Sequence, residues 1–107
     1  MKATKYDKDK LMCNLLEPEF LEEMTKVLTL GAKKYAPDNW KGLDPERLLA
    51  ALYRHLLASH KGELIDKESG LSHMAHIAVN AMFLYWFENH NFTQHWSYRK
   101  DIGELNE

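Results

Sequence analysis

The sequence predicts an all-α fold, a small bundle of three to four helices in one domain. Apolar residues recur at the spacing of one helical face in three separate stretches, and no stretch shows the alternation of a half-buried strand. Helix-start signals precede the second and third stretches. A chain of 107 residues corresponds to one domain. Because so short a chain buries only about 60–70% of its unfolded surface, we expect a homo-oligomer to complete the core.

Composition and charge exclude several classes of protein. Hydrophobic residues at 45% and charged residues at 28% are ordinary for a globular domain and exclude a disordered chain, a collagen-like repeat and a disulfide scaffold. A net charge of -2 gives no footprint for binding duplex nucleic acid. No apolar run approaches the roughly 18 residues that span a bilayer, so we expect no membrane partner. The single cysteine, Cys13, indicates a reducing, cytoplasmic compartment.

The predicted domain has three parts: an arm (1–17), a helical core (18–88) and a C-terminal tail (89–107). The first helix begins at Pro18, which a first helical turn tolerates, and continues to about position 30. Gly31 followed by two lysines is typical of a helix end. The aromatic and polar tail is compatible with a short helix or with an arm that packs on a neighbouring chain.

A loop over residues 35–44 separates the first two predicted helices. Asp44 as the N-cap and Pro45 in the first turn start the second helix, which ends near Lys61 and Gly62. The helical spacing assigns to the core the leucines of the first two helices, with Met24, Met74 and Met82.

The third predicted helix begins after a polar connection, with Ser69 or Ser72 as its cap, and ends near Glu88. One of its faces is polar at the start and apolar at the end, which is typical of the wall of a binding site. The residues of this face are His73, His76, Asn80, Phe83 and Phe87. His55 on the second helix also lies on an apolar face. The alternative for these imidazoles is hydrogen bonding in the core or at the surface.

Two carboxylates lie in the connection between the second and third helices. The spacing of Glu63 and Asp66 brings both within reach of one hard cation if the segment is helical, and Mg²⁺ needs this kind of sparse anchor. Imidazole from His73 or His76 would instead favour Mn²⁺, Co²⁺ or Zn²⁺. The alternative is a solvated helix end with no ligand.

The segment 31–42 has the composition of a nucleotide-holding loop. Glycine permits close backbone approach, lysines contact phosphate, and aromatic rings offer stacking faces. Its candidate residues are Gly31, Lys33, Lys34, Tyr35, Asn39 and Trp40. The alternative is a helix end capped by lysines, with Trp40 closing the core.

Three motifs together resemble a known family: GAKKYAPDNW, RHLLASHKGELIDKESG and HMAHIAVNAMFL. The chain is similar, over about residues 5–87, to the phage and bacterial dATP/dGTP diphosphohydrolase amino-terminal domain, of the MazG-like all-α NTP pyrophosphohydrolase superfamily. The resemblance implies an oligomeric helical bundle and Mg²⁺-dependent cleavage of a purine deoxynucleoside triphosphate to monophosphate and pyrophosphate. It also implies control of a phage nucleotide pool in the host cytoplasm.

The resemblance also implies roles for individual residues. Glu63 and Asp66 would be the first metal ligands, with His73 and His76 lining the same site, and Glu63, Asp66 and His73 would act in catalysis. Phosphates would be held by Lys33, Lys34 and Arg54, and the base or sugar by Tyr35, Asn39 and Trp40. His55 and Asn80 complete the expected substrate-binding set.

One departure from the superfamily leaves a second function open. The superfamily supplies an E-x-x-E pair from one helix and an E-x-x-D pair from the next. Here the matching faces carry Arg54, His55, His73 and His76, and the clustered carboxylates lie between the helices. The rival interpretation is therefore a non-catalytic oligomer that sequesters a nucleotide or a cyclic-nucleotide signal. A third interpretation is a helical interaction module with structural histidines.

Overall fold

The computed structural model describes residues 2–90, and these form three α-helices. The helices are α1 (Pro18–Lys34), α2 (Pro45–His60) and α3 (His73–Asn89). Short 3-10 turns occupy Cys13–Leu15 and Asn39–Gly42. The described residues contain no strand, and one isolated antiparallel bridge joins Ile65 to Ser72. The all-α prediction is confirmed, whereas the prediction for the tail falls almost entirely outside the described residues.

All three helices begin where the sequence predicts, α1 at Pro18 and the other two after a side-chain cap. The Asp44 carboxylate accepts a hydrogen bond of 3.0 Å from the backbone N–H of Glu46, and Pro45 is the first residue of α2. The Ser72 hydroxyl accepts one of 3.1 Å from the N–H of Met74. Each cap satisfies a backbone donor that the first helical turn leaves free. Of the two serines considered for α3, Ser72 is the cap.

Helix α1 is longer than the sequence predicts. It passes through Gly31 and ends at Lys34, where the N–H of Tyr35 donates to the carbonyl of Gly31 at 3.0 Å. A glycine inside a helix costs only about 1 kcal/mol relative to alanine, and the alanine and lysines that follow are good helix formers. The predicted end near position 30 is therefore wrong.

Helix α2 ends in a Schellman motif that fixes the start of the connection to α3. Gly62 has a φ of 103°, in the left-handed region that favours glycine. Its N–H donates to the Ser59 carbonyl at 3.0 Å, and the N–H of Glu63 donates to the Ala58 carbonyl at 3.0 Å. The predicted end of this helix is confirmed, and Glu63 leaves it in a defined direction.

Helix α3 packs against both α1 and α2. The buried cluster consists of Val27 from α1 and of Ala75 and Val79 from α3, with Met24 and Phe83 among the side chains packed against it. Helix α3 consequently forms the floor of the space between α1 and α2. None of the helices within residues 2–90 is long and apolar enough to cross a lipid bilayer.

Several side chains assigned to the core are on the surface. Met74 is 50% exposed and Leu57 is 55% exposed, and Met82 is exposed as well. The assignment is wrong for Met74 and Met82 because α1 and α2 leave one face of α3 uncovered, while α3 is apolar around most of its circumference. It is also wrong for four leucines that are exposed on α1 and α2: Leu21, Leu30, Leu56 and Leu57. Oligomerisation stays a prediction.

Two glycine substitutions test this account of the backbone. Gly31→Ala removes a helix-interior glycine whose added Cβ meets no atom within 4 Å, so we expect the free energy of unfolding to rise by about 0.5–1 kcal/mol. Gly70→Ala forces alanine into a φ of 73°, so we expect a loss of about 1–2 kcal/mol. Urea denaturation followed by circular dichroism measures both, and shifts of the same sign would contradict the assignment.

Candidate functional site

A cavity of about 700 Å³ lies between α1 and α2, with α3 as its floor. This volume is within the range of pockets that hold small organic ligands. The floor extends from His76 to Phe83, a distance of about 10 Å along the helix axis. Residues of the loop between α1 and α2 also contribute to the wall.

The two ends of the cavity differ in chemistry. At one end the helices contribute apolar side chains, with Leu48 on α2 and Val79 and Phe83 on α3. At the other end, one to two turns away along the same helices, the wall is polar. The polar side chains come from α2, the connection and α3: His55, Asp66, Ser69 and His76.

The connection between α2 and α3 is a tight turn. The N–H of Asp66 donates to the Leu71 carbonyl at 2.8 Å, and the N–H of Gly70 donates to the Asp66 carbonyl at 2.7 Å. The N–H of His73 donates to the Leu64 carbonyl at 3.0 Å. The helical segment that the sequence requires for a cation shared by the two carboxylates is therefore absent from this connection.

Asp66 is held by a chain of hydrogen bonds. Its Oδ2 accepts from the Ser69 hydroxyl at 2.7 Å and from the Ser69 N–H at 3.0 Å. Because an ionised carboxylate only accepts, the hydroxyl donates to Asp66, and His76 Nε2–H donates to Ser69 Oγ at 2.8 Å. Burial alone would raise the pKa of Asp66, but the two bonds from Ser69, together with the nearby His76 and His55, outweigh it, and the pKa lies below its ordinary value.

Glu63 holds the buried imidazole of His73. The His73 Nε2–H donates to Glu63 Oε2 at 2.7 Å, and the His73 side chain is only 3% exposed. This bond lowers the pKa of Glu63 below its ordinary value. With Nε2 carrying the hydrogen, the Nδ1 atom of His73 has a lone pair and accepts a hydrogen bond from His55 Nδ1–H.

His55 brings α2 into the same cluster. Its Nδ1 lies 2.9 Å from His73 Nδ1, and its ring stacks on that of His76 with centroids 4.2 Å apart and planes at 4°. Burial lowers the pKa of His55, and the neighbouring His76 lowers it further. Burial also lowers the pKa of His76, although the nearby Asp66 carboxylate opposes this effect. Burial therefore favours the neutral form of both rings, the form in which an imidazole binds a metal.

Three residues of this cluster are arranged to hold a metal ion. One potential ligand atom from each of His55, Asp66 and His73 lies within 4.8 Å of the others. The predicted ligand set shares Asp66 and His73 with this group. Glu63 contacts the far nitrogen of His73, and His76 contacts Ser69, so neither belongs to the group.

Most of the predicted substrate-binding residues line the cavity, but two do not. The six that do are Lys34, Tyr35, Asn39, Trp40, His55 and Asn80. Lys33 is exposed and does not line the cavity. Arg54 is also exposed and lines a separate depression together with Glu63. The structure therefore does not bring Lys33 and Arg54 to the other residues.

Two polar residues of the cavity wall were not predicted from the sequence to belong to the site. Arg47, in the first turns of α2, lines the cavity, and no local pattern distinguished it from Arg54. Ser69 was considered only as a helix cap. Its position three residues after Asp66 is typical of a side chain that closes a turn onto a carboxylate, and this signal was available.

Trp40 is part of the core as well as of the wall. Its ring stacks on Phe83, with centroids 4.2 Å apart and planes at 14°, and makes edge contacts with Trp86 and Phe87. The alternative in which Trp40 closes the core is therefore confirmed. Because Phe83 covers one face of the indole ring, at most the other face is available for stacking.

Comparisons with known proteins place the chain in a family. The family described as dATP/dGTP diphosphohydrolase, N-terminal, matches residues 1–95. A protein of Salmonella phage PMBT28 named dATP/dGTP diphosphohydrolase is 43% identical over 93 residues, which are 87% of this chain and 32% of that protein. The chain thus spans about a third of the length of this relative. No solved structure is significantly similar. By the family match, the chain belongs to the dATP/dGTP diphosphohydrolase, N-terminal, family.

Proposed function

We propose that the chain is a divalent-metal-dependent pyrophosphohydrolase that acts on dATP or dGTP. Water attacks the α-phosphorus, the bond from that phosphorus to the oxygen bridging to the β-phosphorus breaks, and the products are the deoxynucleoside monophosphate and pyrophosphate. The observation that carries this proposal is a cavity with an apolar end for a base and an end rich in imidazole and carboxylate for a triphosphate and its metal. The name of the phage relative supports a hydrolase rather than a sequestering protein.

The two ends of the cavity suggest how a nucleotide would lie. The base would occupy the apolar end, against the Phe83 and Val79 side chains, and the phosphates would point toward His55 and Asp66. A bound divalent cation would neutralise phosphate charge and lower the pKa of the attacking water. The residues that would hold the cation are His55, Asp66 and His73.

Lys34 supplies positive charge at the polar end. Its Nζ lies 3.4 Å from Oε1 of Glu68, whose side chain is 81% exposed. A solvent-exposed ion pair contributes little to stability, so the lysine can exchange this partner for a phosphate oxygen at little cost. Since the overall charge is close to neutral, phosphate binding would depend on such local cations and on the metal. The deoxynucleotide pool is cytoplasmic, so we propose the cytoplasm, in the phage case that of the host, as the site of action.

Product analysis tests the reaction. We expect dATP or dGTP, incubated with the protein and Mg²⁺ or Mn²⁺, to give monophosphate and pyrophosphate in equal amounts, separated by ion-exchange chromatography. Release of the deoxynucleoside diphosphate and inorganic phosphate would show that the attack is not at the α-phosphorus. Binding of the nucleotide without any product would instead support the sequestering alternative.

A pair of arginine substitutions on α2 tests where the substrate lies. Arg47→Ala removes a cation from the cavity wall, and because a hydrogen bond to a charged group contributes about 1.5–3 kcal/mol, we expect kcat/KM to fall about tenfold or more. Arg54→Ala, the matched control two turns further along the helix and outside the cavity, should change it less than about twofold. Pyrophosphate release measures both. A larger effect at Arg54 would move the substrate to the depression beside Glu63.

We also propose that a second copy of the chain covers the outer face of α3. Met74, Ala81 and Tyr85 are exposed there, and with Ala78 they repeat at intervals of four, three and four residues, the spacing of a seam between two helices. Two alanines at the centre allow close approach of an identical helix.

Light scattering at micromolar concentration tests whether a second copy binds to α3. The wild-type protein should have at least twice the chain mass of 12.6 kDa. Tyr85→Glu should shift it toward the monomer, because burying an unpaired carboxylate in the seam is unfavourable. Glu22→Gln, an exposed position on α1 outside the seam, is the control and should leave the mass unchanged. A monomeric wild-type protein would contradict the proposal.

A further inference from the structure

The imidazole and carboxylate cluster has the donor set and the support of a transition-metal site. We propose that His55, Asp66 and His73 bind one divalent transition-metal ion, and that Glu63 and Ser69 orient two of these ligands without contacting the ion. Binding of the ion stands by itself, whereas its part in hydrolysis rests on the proposed function.

The spacing of the nitrogen atoms fits a shared ion. Two donor atoms at about 2.1 Å from one metal and at right angles to each other lie about 3 Å apart. The Nδ1 atoms of His55 and His73 are 2.9 Å apart, and the ion would take the place of the hydrogen that His55 Nδ1 now donates to His73. Asp66 has a ligand atom within 4.8 Å of the ligand atoms of both histidines.

The Nε2 atom of His73, which would not bind the ion, is hydrogen-bonded to a carboxylate, as is typical of metal-binding histidines. Its Nε2–H donates to Glu63 at 2.7 Å, which fixes the ring and leaves the Nδ1 lone pair directed at the cluster. A carboxylate on the far nitrogen of a ligating histidine is a recurrent feature of metal sites, and its loss weakens metal binding. Glu63 thus has a positioning role instead of the direct ligation that the resemblance implied.

The Asp66 carboxylate is also held in place by hydrogen bonds. Both hydrogen bonds from Ser69 go to Oδ2, so Oδ1 remains for an ion. The Ser69 hydroxyl in turn accepts from His76, whose ring stacks on His55 and restricts its orientation. Residues that do not touch the ion therefore hold all three ligands.

The donor set selects the class of ion. Mg²⁺ prefers an octahedral shell of oxygen atoms, whereas imidazole suits transition metals such as Mn²⁺, Co²⁺ and Zn²⁺. Two imidazole nitrogens and one carboxylate are therefore a poor match for the Mg²⁺ implied by the family resemblance. Three protein ligands also leave coordination positions for water or phosphate, and His55 and Asp66 border the cavity in which the phosphates would lie.

Metal titration of the chelator-treated protein tests the site without any nucleotide. We expect calorimetry to show one Mn²⁺ or Co²⁺ per chain, not displaced by an equal concentration of Mg²⁺, and electron–nuclear double resonance to show nitrogen coupled to bound Mn²⁺. His55→Ala should abolish the tight binding, and His60→Ala, an exposed histidine at the end of the same helix, should not. Glu63→Gln should weaken binding about 10–100-fold, whereas Glu22→Gln, an exposed glutamate on α1, should have no effect.

The results of the metal titration and of the hydrolysis assay distinguish failure of the metal site from failure of the proposed function. Tight binding that is lost in His55→Ala, without hydrolysis of dATP or dGTP, would support the metal site and count against the enzyme. Equal affinity for Mg²⁺ and Mn²⁺, or no nitrogen coupling in the wild-type protein, would overturn the metal site. Hydrolysis at an unchanged rate with Mg²⁺ in His55→Ala would overturn the role of this site in hydrolysis and leave the proposed activity intact.

Discussion

The buried imidazole of His73 is the constraint on which the rest of the site depends. A buried polar ring is unfavourable unless its nitrogens have partners, and His73 has one on each side. Glu63 reaches Nε2 because the Schellman motif at Gly62 turns the chain out of α2 at the right point. His55 reaches Nδ1 because α2 packs along α3. The packing of two helices and the path of their connection are thus coupled through one side chain.

Local chemistry determined what could be predicted from the sequence. The starts of α2 and α3 follow from Asp44 and Ser72, because a cap is a contact between residues two or three apart. The end of α1 could not be predicted, since the cost of a glycine inside a helix is small enough for packing to override it. The fold class depended on helical spacing alone and was confirmed.

The candidate site was less predictable because it depends on contacts between distant segments. The sequence identified Asp66 and His73, but it treated Glu63 as their equal. Only the course of the turn shows that Glu63 lies behind His73 and not beside Asp66. Arg47 and Arg54 lie seven residues apart on one helix, so spacing alone could not show which of them borders the cavity.

The stacking of Trp40 on Phe83 has a consequence for the cost of binding a ligand. It fastens the loop between α1 and α2 to the floor of the cavity, together with the edge contacts to Trp86 and Phe87. A loop fastened in this way loses little conformational entropy when a ligand enters. The wall that this loop provides is therefore preorganised, and more of the interaction energy remains available as affinity.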